Sequence, residues 1–287
     1  MKIFVTGANG QLGSELKIVA QKCKSWNFIF TDIDSLDLTD NKAVESVLTL
    51  EHPSYLINCA AFTAVDKAET ESKLSTILNA DVPKHLAKLS SKLQFKLIHI
   101  STDYVFSGQG YLPLKENDKT KPESAYGKTK LQGEINIQNH TDAIIIRTSW
   151  LYSKFGNNFV KTMLRLGAEK DKIGVVFDQI GSPTNAADLA HSIINIITYT
   201  EENRNWKPGI YHYSNEGVAS WYDFATEIMK MGKRKCHVSP ITTQDYPLPA
   251  PRPAYSVLNK NKIKESFNII IPYWKDSLVD VVEYLTK

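Results

Sequence analysis

Short apolar runs at Ile3–Thr6, Phe28–Thr31, Tyr55–Cys59, Leu97–Ser101 and Ile144–Thr148 punctuate the first half of the chain. They are rich in Ile, Val and Phe and mostly lack polar alternation, as expected of strands covered on both faces. Between them, helical patterns begin near Gln11, Asp40, Leu74 and Glu123. Alternation of this kind predicts an α/β fold, a doubly wound parallel sheet with right-handed crossovers. After Arg147 the rhythm loosens. Helical stretches recur at Asn158–Gly167, Ala186–Thr198 and Ser220–Met231, with strand-like pieces at Ile173–Phe177 and Ile210–Tyr213. Asp245–Pro253 carries four prolines and must be extended loop. The expected division is a dinucleotide-binding domain over 1–148 and a mainly substrate-binding portion over 149–287. Segments near 173–207 and 237–258 are expected to return to the first domain.

Composition narrows the function classes. With 287 residues, 42% of them hydrophobic and 23% charged, the chain is long enough for buried cores and is neither disordered nor fibrous. A net charge of +3 gives no reason to invoke nucleic acid. Cys23, Cys59 and Cys236 form an odd set without Cys-x-x-Cys spacing, which argues against a disulfide framework and a zinc site. The chain starts directly with an apolar strand, and no run approaches the ~20 apolar residues of a membrane span. A cytoplasmic protein with reduced thiols is expected.

The first strand runs into Gly7-Ala8-Asn9-Gly10-Gln11-Leu12-Gly13, a Gly-x-x-Gly-x-x-Gly turn opening an amphipathic helix. Gly7 permits the tight turn, Gly10 lets the backbone approach a pyrophosphate, and Gly13 lets helix and sheet pack closely. Phosphates would sit on the free N–H groups of the helix start. In this context the turn predicts a Rossmann-type nucleotide site. Asp32 ends the second strand, where an acid can accept hydrogen bonds from the adenosine ribose and would favour NADH. Lys22 and Lys24 lie close enough in sequence to keep NADPH open. Asp37 and Leu38 could reach the adenine or be ordinary loop.

Two further segments carry chemistry. The fourth strand ends in Ser101-Thr102-Asp103-Tyr104-Val105-Phe106, at the sheet edge where such folds bind ligands. Downstream, Tyr126 and Lys130 are four apart and share one helix face. An ammonium beside a phenol stabilises the phenolate, and lowering a tyrosine pKa of about 10 by three units corresponds to roughly 4 kcal/mol. Such a tyrosine can protonate a carbonyl oxygen as hydride reaches its carbon, while Thr102 holds the same oxygen in line. Among 13 tyrosines, about one Tyr-x-x-x-Lys arises by chance. Tyr111–Lys115 is a second match, but Pro113 breaks any helix there. Chain order favours the first: glycine turn, Ser-Thr at a strand end, then the helix.

Over essentially its whole length the sequence resembles the extended short-chain dehydrogenase/reductase superfamily and, within it, the dTDP-4-dehydrorhamnose reductases. The resemblance rests on Gly7–Gly13, on Asn58-Cys59-Ala60-Ala61-Phe62-Thr63-Ala64-Val65-Asp66-Lys67-Ala68-Glu69, on Ser101–Phe106, and on Tyr126–Lys130. Arg147–Tyr152, Asp178–Thr184 and Pro251-Arg252-Pro253 extend it. It implies reduction of the 4-keto group of dTDP-4-dehydro-β-L-rhamnose by NADPH or NADH, serving cell-surface polysaccharide. Thr102, Tyr126 and Lys130 carry over as the catalytic trio. Asn9, Gln11 and Leu12 carry over with the glycines of the cofactor turn; Asn79 and Lys130 as contacts to the nicotinamide-side ribose; and Cys59, Ala60 and Ala61 as the floor beneath the cofactor. Thr102–Phe106, Trp150 and Arg252 carry over as substrate contacts, although a tryptophan at a strand end is more often core. Arg252 between prolines is a fair phosphate ligand and equally a candidate salt bridge.

Two departures stand out. Phe62 replaces a histidine frequent in the family. Some members bind magnesium between subunits through glutamates; Glu15 matches one position, but Asn185-Ala186-Ala187 offers no second acid. Glu15 is therefore expected to be a solvated helix residue, no metal site is expected, and a homodimer is left open. A non-catalytic regulatory subunit and an epimerase or dehydratase of another nucleotide-linked sugar are the alternatives. The intact trio argues against the former. Tyr104, where a dehydratase would carry glutamate, argues against the latter.

Overall fold

The computed structural model describes residues 1–287. Its centre is a six-stranded, all-parallel sheet. The strands β1 (Lys2–Thr6), β2 (Asn27–Thr31), β3 (Tyr55–Asn58), β4 (Lys96–Thr102) and β5 (Ile144–Thr148) coincide with the five apolar runs. Gly209–Tyr213 adds the sixth, so the order reads Gly209–Tyr213, β5, β4, β3, β1, β2. The five residues of β5 and the four of β3 are all buried, which is why neither shows polar alternation.

Helices cover both faces. On one, Leu12, Leu16 and Val19 of α1 (Gln11–Ala20) pack with Leu189, Ile193 and Ile197 of Ala186–Asn203 and with Ile263 and Phe267. On the other, Val44, Leu48, Leu86 and Ile137 pack against Phe4, Leu56 and Ile145. At roughly 1.5–3 kcal/mol per buried aliphatic side chain, this three-layer sandwich holds the strand ends in register. Because β2 and β3 flank β1 on opposite sides, the strand order reverses there, and a crevice opens at the carboxyl ends of the strands.

The second half builds its own core. Val160, Met163, Phe224, Ile228, Trp274 and Leu278 belong to the helices Phe159–Glu169, Trp221–Met231 and Trp274–Thr286. The expectation for segments returning to the sheet needs correcting. Ala186–Asn203 lies on the sheet, and Leu258 packs with Val105 and Phe106. The strands Lys172–Val176 and His237–Ile241 instead pair with each other. They bury Ile173, Val175 and Val238 in the second core, because their alternating pattern leaves only one apolar face to cover. Residues after Asp245 run as loop through Pro253, and Tyr111–Lys115 forms no helix.

Candidate active site

A cavity of about 790 Å³ follows the crevice from the glycine turn to the helix that carries Tyr126 and Lys130. Gly7 has φ +66°, and a Cβ there would lie 2.6 Å from the Ala60 nitrogen. A Cβ on Gly13 would lie 2.4 Å from the Gly7 carbonyl oxygen, so this glycine is what brings α1 onto β1. At Gly10 the nearest atom to such a Cβ is 3.3 Å away. That is a tight contact but the mildest of the three, so Gly10 is the glycine least demanded by the fold, and its bare backbone is left for a ligand. Gly10 is also the N-cap of α1 and supplies no side-chain acceptor, so the first amides of the helix have no capping group. That cradle fits a dinucleotide pyrophosphate.

Asp32 lines the same cavity and also holds the turn: it accepts the Asn9 N–H at 2.7 Å and the Ile33 N–H at 2.8 Å. Asn9 lies outside the cavity wall, and its side-chain carbonyl accepts from Lys17 at 2.9 Å. Lys17 thus sets a cation at this end, a residue that sequence spacing did not single out. Gln11, Leu12, Asp37, Leu38, Cys59, Ala60 and Ala61 line the cavity. Thr63, Val65, Ser149, Gly156 and Asn157 join them without having been anticipated.

The segment 58–69 is built from backbone-binding side chains. Asn58 accepts from the Thr6 hydroxyl at 2.7 Å and from the Ala60 N–H at 3.2 Å. Asn79 accepts from the Phe62 N–H at 2.9 Å and donates to the Phe62 carbonyl at 3.1 Å. It is buried outside the cavity wall, and its amide fastens the segment to the helical turn Ile77–Asp81. At the far end Glu69 accepts the Ala125 N–H at 2.8 Å, where the helix Ala125–Gln138 begins. Ser124 caps that helix by accepting from Gly127 at 3.1 Å.

Tyr126 and Lys130 both reach the cavity wall with Thr102. Burial pushes the Tyr126 hydroxyl up to about 12, a hydrogen bond with Thr102 pulls it down, and the Asp103 carboxylate adds to the rise. This reverses the direction expected from the Tyr-Lys spacing. The reason is that burial of the phenol outweighs its neighbours, while the Lys130 ammonium, itself buried, donates at 2.6 Å to the Ile100 carbonyl. Burial brings Lys130 down to about 8, against the pull of Glu134 and Cys59. Tyr104 packs edge-on against Tyr126, ring centroids 5.4 Å apart.

Beside Thr102, Asp103 and Tyr104 line the cavity, whereas Val105 and Phe106 turn into the core with Leu258. Burial drives Asp103 up to about 6, against hydrogen bonds from Ser256 and Thr102. Its second carboxylate oxygen makes no hydrogen bond within the chain. Trp150 lines the cavity at φ +47° and stacks on Trp221, centroids 3.7 Å apart at 12°. Arg252 lies outside the cavity wall and bonds Asp66 at 2.7 Å, the salt bridge that its exposed position left open. Glu15 is not solvated: it is buried and accepts from Ser153 at 2.6 Å, because the chain after β5 folds back over α1. No helix is long and apolar enough to cross a membrane.

Comparison with known proteins agrees with this geometry. A family model described as the RmlD substrate-binding domain matches residues 1–287. The spore coat polysaccharide biosynthesis protein SpsK of Bacillus subtilis is 40% identical over 283 residues, covering 98% of this chain and 97% of its own. The crystal structure of a dTDP-4-dehydrorhamnose reductase from Clostridium acetobutylicum superimposes with a TM-score of 0.93 at 43% identity, covering 100% of both chains. That of Bacillus anthracis dTDP-4-dehydrorhamnose reductase in complex with NADP gives a TM-score of 0.93 at 38% identity, covering 99% of each.

Proposed function

The chain belongs to the RmlD family of dTDP-4-dehydrorhamnose reductases, and on that premise we propose that it reduces the 4-keto group of dTDP-4-dehydro-β-L-rhamnose to give dTDP-L-rhamnose. The observation that carries this reading is the meeting, in one cavity, of the bare glycine cradle with Thr102, Tyr126 and Lys130. The reduced nicotinamide cofactor, when bound, supplies the hydride. Everything else falls to the chain. Tyr126 enters with its proton firmly held, since burial keeps its pKa near 12. It releases that proton only to an oxygen that is becoming an alkoxide, and Thr102 holds that oxygen by a second hydrogen bond. Lys130 keeps one N–H on the Ile100 carbonyl and so holds its nitrogen fixed at the cavity wall.

The nucleotide end supports use of either cofactor. Asp32 retains lone pairs for ribose hydroxyls beyond the two amides it accepts, and Lys17 offers a cation beside Asn9 for a 2′-phosphate. Trp150, Asp103, Tyr104 and Arg252 form the side facing the sugar nucleotide, with the second core as its support. A nicotinamide-dependent reaction and three free cysteines support a cytoplasmic site of action. The test is oxidation of NADPH and of NADH with dTDP-4-dehydro-L-rhamnose, wild type beside Tyr126→Phe. Loss of about 10²–10⁴ in kcat with unchanged circular dichroism is expected; a variant as fast as wild type would remove Tyr126 from its role.

A further inference from the structure

Beneath the catalytic lysine lies a row of buried polar groups that the hydride transfer does not use. His99 of β4 is fully buried, with Nδ1 3.0 Å from the Asn58 side-chain amide and Nε2 3.4 Å from Lys130 Nζ. The Ala60 N–H can only donate, so the Asn58 atom it meets is the carbonyl oxygen, which also accepts the Thr6 hydroxyl. The amide nitrogen of Asn58 therefore faces His99, and Nδ1 must be the acceptor. Burial keeps this imidazole neutral, its pKa held far below the ordinary histidine range. Its one proton accordingly lies on Nε2 and points at Lys130.

We infer that His99 is a positioning residue that presents an N–H, not a lone pair, to Lys130 and so supports the uncharged amine of that lysine within the reductase reaction proposed above. The donor count gives the reason. An ammonium has three N–H groups and no acceptor. One is spent on the Ile100 carbonyl and one can face the cavity; the third meets the His99 N–H. The neutral amine keeps its bond to Ile100 and turns its lone pair to His99. The other groups facing Lys130 do not supply an acceptor in that direction. Cys59 at the end of β3 holds its thiol proton, raised to about 12 by burial. Glu134, one turn along the helix, is tied to Arg147 of β5 by three contacts of 2.7–3.2 Å. Tyr126, one turn back, is protonated. The lysine thus changes charge near pH 8, on the same cavity wall as Tyr126.

Nitrogen NMR of the full-length protein with labelled histidine tests this without any substrate. The expected result is the Nε2–H tautomer for His99, a ring that stays neutral from about pH 6 to 9, and a shift inflection near 8 that Lys130→Met abolishes. An Nδ1–H tautomer, or an inflection that survives Lys130→Met, overturns the inference. Asn58→Asp faces Nδ1 with acceptors only, so it should convert His99 to the Nδ1–H form. His99→Gln should offer Lys130 a carbonyl instead. In both variants the alkaline limb of kcat/KM for the ketosugar should move up by about one pH unit. Folded variants whose limb stays in place overturn the proposal. Absence of turnover in wild type would count against the reductase reading alone, because the tautomer is read independently.

Discussion

Glu134, on the helix Ala125–Gln138, and Asp103, just after β4, are buried to the same degree, 1% and 2% exposed, yet their surroundings are opposite. Glu134 is saturated: Arg147 grips both of its oxygens and the Ser101 hydroxyl donates at 2.5 Å. The guanidinium in turn reaches the Glu116 carbonyl at 3.3 Å and lies over the Phe106 ring. This pair clamps the helix to β4 and β5 from behind, away from the cavity. Asp103 faces the cavity with no cation, and one oxygen makes no hydrogen bond within the chain. The back of the site pairs the carboxylate it buries; the wall beside the cavity buries a carboxylate oxygen without a partner, at a cost in stability. Equal burial therefore says little about a carboxylate's task until its partners are counted.

The contrast can be broken from either side. Glu134→Gln would leave the Arg147 charge buried without its counter-ion, and a loss of about 3–5 kcal/mol in urea unfolding is expected. A variant within about 1 kcal/mol of wild type would show that the clamp is dispensable. Asp103→Asn should act in the opposite direction. Its folded pKa of about 6 lies above the ordinary aspartate value of 3.8, so the fold favours the protonated acid. The stability it gains from that proton is complete below the unfolded pKa and is lost as pH rises through the folded one. Wild type at pH about 8 thus carries a penalty of up to roughly 3 kcal/mol that an asparagine would not. The variant should be the more stable protein at pH 8, with the advantage fading toward pH 4. An advantage independent of pH would mean that Asp103 does not titrate in this range.

Much of the fold and the front of the site was legible in the sequence, and the physical reasons differ by element. Strands with both faces buried announce themselves as unbroken apolar runs, so β1, β3, β4 and β5 could be placed, while the half-buried edge strand β2 showed through its Phe28-Ile29-Phe30 run. Tyr126 and Lys130 could be paired because four residues make one helical turn. Trp274–Thr286 went unassigned although Trp274, Leu278, Val281 and Val282 carry a helical spacing. Glu134, Arg147 and His99 had no such local signal. Glu134 meets Arg147 because β4 and β5 pair in a register that sets Ser101 beside Arg147, and His99 meets Asn58 because β3 and β4 pair in a register that sets those two side by side, properties of the sheet rather than of any one segment. Lys17 is similar, since it is the Asn9–Asp32 bond across β1 and β2 that brings its cation into use. The sign of the tyrosine shift was unreadable for the same reason: spacing shows that a lysine is near, not that burial outweighs it.

The mouth of the cavity offers the smaller tests, on an ion pair that is partly open. Arg252 and Asp66 side chains are 16% and 38% exposed, and only one guanidinium nitrogen meets the carboxylate. Arg252→Ala should raise KM for the nucleotide sugar about tenfold, equivalent to roughly 1.4 kcal/mol, with kcat within a factor of a few. A change confined to kcat would move Arg252 from binding to chemistry. Asp66→Asn is the finer probe. The substituted amide keeps an oxygen for the Ala250 N–H, which Asp66 now accepts at 3.2 Å, so the loop can hold its place while the charge is lost. If Asp66 competes with the substrate diphosphate for Arg252, KM should fall by about two- to fivefold, the scale of an exposed ion pair. A rise in KM would mean that the carboxylate aims the guanidinium at the substrate rather than holding it back, and the mouth would then resemble the clamp behind the helix more than its exposure suggests.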